Sequence, residues 1–266
     1  MLHIFIVSLQ QDVEKRETIS KTLNDFNLDF TFIDAVYGRE LPNEYLDYLR
    51  DKSSGKLIDR GFPATPGEIG CTLSHLKAYQ EVIDRGLDWA CILEDDAILD
   101  ERFEIFIKQF QSTNLDSHNL YLLGGQTPNS KRLIIKSIKN IRNIGSQKFH
   151  KTIKSEKIIY RTCCYLISSD RAKNLISLGK NKLILADDWA YLIEKGLIRN
   201  IYLAEFVEHP IDLVDSNIQR EREIAAMDIR IKTPTLSLSK RVKTSINYRL
   251  KRVAFQLYKY IEPISK

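Results

Sequence analysis

Trp89-Ala90-Cys91-Ile92-Leu93-Glu94-Asp95-Asp96-Ala97-Ile98-Leu99 is the stretch that decides the fold. An apolar run from Trp89 to Leu93 ends in three consecutive carboxylates. A short continuous apolar run predicts a strand buried on both faces. Acids cannot continue into such a core, because unpaired buried charge costs too much. The strand therefore delivers Glu94, Asp95 and Asp96 to the carboxyl edge of a sheet, where open α/β sheets bind ligands. Alternate residues of an extended chain point the same way, so Glu94 and Asp96 face one ligand together. Two carboxylates there suit a hard divalent cation, Mg²⁺ or Mn²⁺. The plainer alternative is a solvated acidic turn, with Asp100 capping the next helix. The triplet alone weighs the two equally.

Outward from this strand the pattern alternates. His3 to Leu9 reads as a first strand, and Asp12 to Phe26 as a helix with Val13, Ile19, Leu23 and Phe26 near helical spacing. Phe30 to Ile33, ending at Asp34, completes a β-α-β opening and predicts a parallel sheet. Val36 to Pro66 is rich in Gly and Pro and reads as loop, with a short helix near Glu44 to Leu49. Thr65-Pro66-Gly67-Glu68 is a capping box with Pro at the first helical position. Ile69, Leu73, Leu76 and Ile83 line that helix, and Gly86 ends it. Ser74 and His75 ride on it, where a His is more often a packing residue than a catalyst.

Beyond the acids, a helix is expected from Asp100 to Phe110 and a strand from Asn119 to Leu123, stopped by Gly124-Gly125. Residues 126–157 scatter lysines and arginines among polar residues, which fits a flexible basic flap or an inconsequential solvated excursion equally. Ile158 to Ile167 is a strand candidate. Ser169 is expected to cap a helix over Asp170 to Leu178, with Gly179 past its end. Asp187-Asp188-Trp189-Ala190-Tyr191-Leu192 opens a helix closed by Gly196, and Ile201 to Ala204 forms a last strand. Glu208-His209-Pro210 begins an irregular stretch through Ile218.

The 266 residues are 43% hydrophobic, enough for a real core. No apolar run approaches the ~20 residues of a spanning helix. The N-terminus has no basic leader or cleavage site and reads as a strand rather than a signal peptide. The four cysteines, Cys71, Cys91, Cys163 and Cys164, show no C-x-x-C metal spacing, and reduced thiols in a cytosolic protein are expected. The chain carries +5 overall, but Arg230 to Lys266 holds ten Lys/Arg against one acid, Glu262. The body is therefore net acidic and the tail strongly basic. Residues 1–227 read as one α/β domain and 228–266 as an amphipathic basic tail. Val242, Ile246, Leu250 and Val253 recur there at helical spacing, which suits an anionic membrane surface. A helix docked on the body through the same row is the alternative. Nucleic acid is not expected, since no base-reading module accompanies the charge.

Four passages together resemble glycosyltransferase family 25, whose bacterial members build lipooligosaccharide or lipopolysaccharide cores. They are Ile6-Val7-Ser8-Leu9 with Arg16, Gly67-Glu68-Ile69-Gly70-Cys71-Thr72-Leu73-Ser74-His75, Leu93-Glu94-Asp95-Asp96, and Tyr165-Leu166-Ile167-Ser168 followed by Asp188. The resemblance covers Leu2 to Ile218. It implies a GT-A-like nucleotide-binding sandwich with a central, mostly parallel sheet and a DxD-type metal motif, here with Glu94 in the first position. It also implies transfer of a hexose, galactose from UDP-galactose, to a lipooligosaccharide acceptor at the inner face of the cytoplasmic membrane. Donor contacts are expected from Ser8, Arg16, Asp34, His75, Glu94 and Asp95.

The residues suit that chemistry independently. A divalent cation, Mn²⁺ or Mg²⁺, offsets the charge of a diphosphate leaving group. Asp96 is the first choice as ligand, with Glu94 on metal or ribose. His209 is a candidate third ligand, since imidazole suits Mn²⁺ better than Mg²⁺. A surface His before a proline is the plainer alternative. An inverting transfer needs a carboxylate base. Asp187 and Asp188 at a helix start are the candidates, with the resemblance favouring Asp188; helix-dipole complementation is the alternative. Two rivals stand beside this reading. A glycosidase fits poorly, because Glu94 and Asp96 are too close to flank a sugar. A catalytically degenerate family member serving as a glycan-binding or adhesion module fits the retained acids and His75 poorly.

Overall fold

A computed structural model describes residues 2–113, 115–126, 133–210 and 217–232. The chain opens with β1 (His3–Ser8), α1 (Val13–Asp25) and β2 (Phe30–Asp34). A 3-10 turn (Gly38–Glu40), α2 (Asn43–Arg50), α3 (Lys56–Asp59) and the long α4 (Pro66–Asp84) follow. Then come β3 (Trp89–Glu94), α5 (Glu101–Gln109), β4 (Leu120–Gly124), β5 (Lys136–Ile144) and β6 (Gln147–Thr152). The described chain ends with β7 (Cys164–Ser168), α6 (Ser169–Asn181), α7 (Trp189–Glu194), β8 (Ile201–Val207) and α8 (Asn217–Lys232).

The strands form one sheet in the order β2-β1-β3-β7-β4-β8-β6-β5. β1 pairs in parallel with β2 and β3, and β4 with β8. β7 lies antiparallel between β3 and β4, so those two run the same way. The sheet is thus mostly parallel in strand direction, with β7 reversed at its centre and β6 reversed toward one edge. Alternation along the strands divides the core. Ile4, Ile6, Cys91 and Leu93 pack with α1 and α5 residues such as Leu23, Phe103 and Phe106 on one face. Phe5, Val7, Ala90 and Ile92 pack with Ala78, Val82, Ala172 and Trp189 on the other. The result is the expected α/β sandwich around a central sheet. A smaller cluster of Leu46, Leu49, Leu57, Ile69 and Leu185 extends one side.

The capping box at α4 forms as expected: Thr65 accepts from the Glu68 amide, and Glu68 accepts from the Thr65 amide at 2.9 Å. Gly38 and Gly70 let the loop after β2 lie directly on α4, since a Cβ at Gly70 would stand 2.5 Å from the Val36 carbonyl oxygen.

Several expectations need correction. The basic stretch is not a flap throughout: β5 and β6 form a hairpin that extends the sheet beside β8. Its apolar residues are too sparse to show strand periodicity, yet Ile144 and Phe149 reach the core. β7 begins at Cys164, not Ile158, because Arg161 adopts φ 70 and turns the chain before the ladder. Ser168, not Ser169, caps α6. Gly179 lies inside α6 rather than past its end, where a Cβ would meet Leu76 of α4 at 2.8 Å. Close packing between those helices is the reason for that glycine. The stretch expected to be irregular gives way to helix at Asn217, and α8 runs across the boundary placed at residue 227. Residues 233–266, which carry most of the basic tail, lie outside the described residues.

Candidate active site

The parallel register sets the carboxyl ends of three strands side by side, with Ser8 opposite Asp34 and Val7 opposite Glu94. Arg16 reaches back from α1 to this edge. Its guanidinium donates to the Ser8 carbonyl oxygen at 2.9 Å and to Asp34 Oδ1 at 2.6 Å, and lies 4.5 Å over the Phe32 ring. Gln10 donates to the other Asp34 oxygen at 2.8 Å. The Arg16 hydrogen bond is the main reason the Asp34 carboxyl sits below its ordinary value. Ser8, Arg16 and Asp34 are therefore brought together. Asp95 turns toward the same corner, with Lys15 Nζ at 3.9 Å. Burial outweighs its Ser8 and Lys15 partners and pushes its carboxyl up to about 6.

Glu94 and Asp96 face the other way, toward the segments flanking β7 and β8. Because β7 is reversed, its approach arrives where β3 ends: the Glu94 amide donates to the Cys163 carbonyl oxygen at 2.9 Å, and the Thr162 hydroxyl donates to Glu94 Oε1. Ile98 and Glu208 exchange backbone hydrogen bonds of 2.9 and 3.0 Å. That bridge carries His209 to Asp96, with Nε2 3.4 Å from Oδ2. Glu94, Asp96 and His209 each offer a ligand atom within 4.8 Å of the others.

The electrostatics of this trio favour a cation. Burial alone would raise the Glu94 carboxyl, but the facing His75 ring and the Thr162 hydroxyl outweigh it and hold the carboxyl low. Burial and then Glu94 itself raise Asp96. Asp96 Oδ1 is buried without a hydrogen-bond partner. Such an orphaned acceptor beside a second carboxylate and an imidazole fits a divalent metal. The donor set admits Mn²⁺ or Mg²⁺.

His75 is only 1% exposed. Its Nδ1 shares a 2.8 Å hydrogen bond with the Tyr165 hydroxyl, which in turn pairs with Tyr79 at 2.8 Å. It sits beneath Glu94 and supports the edge from below. The two candidate bases differ sharply. Asp188 is 1% exposed, caps α7 by accepting from the Tyr191 amide at 3.3 Å, and accepts from the Lys56 amide at 2.7 Å. Both its oxygens are engaged. Asp187 is half-buried and accepts the Arg161 amide on Oδ2 at 2.9 Å.

Thr162 and Arg161 escaped sequence reasoning. They link Glu94 to Asp187, and the reversed direction of β7 that places them there leaves no local signal. Cys71 also joins the site, one turn before His75 on α4. The capping-box Glu68 proves equally informative: it is 1% exposed in its side chain and paired with Arg60 at 2.5 Å and with Arg222 of α8 at 2.6 Å. Glu221 accepts from the Gly67 amide at 2.7 Å and pairs with Arg39 at 2.6 Å. Helix α8 is thereby clamped on the start of α4.

Comparison with known proteins defines the class as a glycosyltransferase. More narrowly, the chain belongs to glycosyltransferase family 25, whose model, described as an LPS biosynthesis protein, matches residues 1–190. It is similar to procollagen galactosyltransferase 1-B of Xenopus laevis, 36% identical over 114 residues, covering 42% of this chain and 18% of the relative. It is also similar to procollagen galactosyltransferase 2 of Homo sapiens, 26% identical over 199 residues, covering 70% of this chain and 29% of the relative. The chain thus spans less than a third of the length of these relatives. Among solved structures, a glycosyltransferase involved in glycosylation of the major capsid of PBCV-1 aligns with TM-score 0.40 and 8% identity, covering 85% of this chain and 98% of that one.

Proposed function

We propose that this glycosyltransferase transfers galactose from UDP-galactose to a lipooligosaccharide or lipopolysaccharide core acceptor, with a divalent cation, Mn²⁺ before Mg²⁺, held by Glu94, Asp96 and His209. The observation that carries this reading is the half-buried trio with its buried, unpartnered Asp96 oxygen at the carboxyl edge of the sheet. When bound, the cation offsets charge on the diphosphate leaving group. The family and the galactosyltransferase relatives support the sugar and the reaction.

The chain's own residues supply the rest. Ser8, Arg16 and Asp34 form a polar corner for the nucleoside, with Asp95 beside it. Thr162 and His75 orient Glu94. In an inverting transfer a carboxylate accepts the proton of the acceptor hydroxyl. Asp187 suits that role better than Asp188, because its carboxylate is the less enclosed and the less committed of the two. Asp188 then acts by position, capping α7 and tying it to Lys56. The enzyme works at the inner face of the cytoplasmic membrane, supported by the basic tail, ten Lys/Arg against one acid from Arg230 on. A donor screen for nucleotide-sugar hydrolysis with Mn²⁺, which needs no acceptor, tests the reading. UDP-galactose should be cleaved fastest; preference for another sugar nucleotide would correct the donor, and no hydrolysis of any would favour a degenerate binding module.

A further inference from the structure

The residues beneath the acidic edge carry a second coordination set. Cys71 and His75 stand four apart on α4, so both project from one face of the helix. Glu94 arrives opposite them from β3. One atom from each, the Cys71 sulfur, a His75 ring nitrogen and a Glu94 oxygen, lie within 4.8 Å of one another. His75 Nε2 and Glu94 Oε1 are 3.6 Å apart, beyond a hydrogen bond but close to the spacing of two ligands on one tetrahedral ion.

Independently of that spacing, His75 Nε2 is buried and has no hydrogen-bond partner. Its other ring nitrogen is engaged by Tyr165, itself held by Tyr79. In the tautomer where Nδ1 donates to Tyr165, Nε2 presents a bare lone pair toward Glu94 Oε1 at 3.6 Å. Two acceptors facing each other in a buried site repel unless something positive lies between them. A metal-bound His commonly has its second nitrogen fixed this way by an outer partner. Thiol, imidazole and carboxylate together select a borderline-soft ion over Mg²⁺ or Ca²⁺.

We infer that Cys71, His75 and Glu94 form a site for a divalent cation of the zinc class, separate from the harder Glu94–Asp96–His209 set and sharing only Glu94 with it. Binding displaces the Cys71 proton to solvent and forms a metal–thiolate bond. Three protein ligands leave a fourth position for water. Nothing here depends on which sugar the enzyme transfers.

The test is titration of the reduced, chelator-treated full chain with Co²⁺, a spectroscopic stand-in for Zn²⁺. A sulfur-to-cobalt charge-transfer band in the near ultraviolet should saturate at about one equivalent and be bleached by Zn²⁺. Cys71→Ser should lose the band, His75→Gln should weaken binding at least about tenfold, and Asp96→Asn should keep the band. Zn²⁺ should also raise the melting temperature of the wild-type chain and not that of Cys71→Ser. Absorption-edge spectroscopy of the zinc-loaded wild-type chain needs no variant and should show one sulfur at about 2.3 Å among nitrogen and oxygen ligands. No charge-transfer band in the wild type, a band undiminished in Cys71→Ser, or an all-nitrogen-and-oxygen shell would overturn the proposal. A band lost in Asp96→Asn would overturn its separation from the harder set.

Discussion

Asp187 and Asp188 are neighbours in sequence with opposite surroundings, and the roles proposed for them follow from that difference. Asp188 is enclosed and accepts two backbone amides, from Lys56 at 2.7 Å and Tyr191 at 3.3 Å. Asp188→Ala should therefore cost about 2 kcal/mol of stability in urea denaturation, the upper range for losing a cap. Asp187→Asn keeps its acceptor oxygen toward Arg161 but loses basicity. It should leave UDP affinity and stability near wild type and lower kcat by about 10²-fold or more. The reverse pattern, Asp188→Asn slowing turnover in a fully stable protein while Asp187→Asn works normally, would exchange the roles. The sequence places both acids at a helix start, and the resemblance points to Asp188. It cannot show which carboxylate the helix consumes as its cap, because that depends on the Gly55-Lys56 backbone arriving from far earlier in the chain. The gathering of Glu94, Asp96 and His209 at one edge was more legible. The apolar run stopping at the acids locates the edge, and a residue just past the last strand reaches that edge by topology.

At the scale of elements, the capping box of α4 reads directly from Thr65 to Glu68, but its second use does not. Glu68 also anchors α8 through Arg222, a contact between residues 154 apart that no local pattern encodes. Burial works to raise the Glu68 carboxyl, but Arg60, Arg222 and the Thr65 amide outweigh it and hold it below its ordinary 4.5. A depressed carboxylate contributes stability above its unfolded value and loses it as pH falls through the folded value. Stability should thus decline below about pH 4.5. Arg222→Ala should cost about 1–3 kcal/mol at pH 7, since Arg60 still pairs the buried charge, and should shift the acid transition to higher pH. Glu68→Gln should flatten the acid limb of the stability curve. Urea midpoints measured from pH 3 to 7 check this, and an Arg222→Ala curve superimposed on wild type would remove the clamp. The glycines of this helix illustrate the same limit. Gly70 matches a family motif, but its reason is the Val36 carbonyl oxygen, which a Cβ would approach to 2.5 Å. The β5–β6 hairpin was illegible for a different cause: its faces are largely polar, so alternation carries little signal.

For the whole molecule, the sequence revealed a β-α-β opening and an acidic strand end, and the parallel half of the sheet follows from them. The reversed β7 and the hairpin beyond β8 did not, since strand direction is set by pairing partners far apart in the chain. Among the described residues no helix is long and apolar enough to cross a membrane. The proposed surface attachment rests on the tail's charge and apolar row. Full-length protein should sediment with anionic and not neutral liposomes, with salt-sensitive binding, while a chain ending at Lys232 stays folded and in solution. Equal sedimentation of the two forms would exclude the tail as anchor, and unfolding on truncation would favour a docked helix. The central claim is that a cation at Glu94, Asp96 and His209 couples the fold to the sugar nucleotide. Calorimetric titration of UDP into the wild-type chain and Asp96→Asn, each with and without Mn²⁺, tests it most directly. The account predicts wild-type affinity that rises at least about tenfold with Mn²⁺, and no such rise in Asp96→Asn despite an unchanged fold. Equal Mn²⁺ enhancement in both proteins would contradict it.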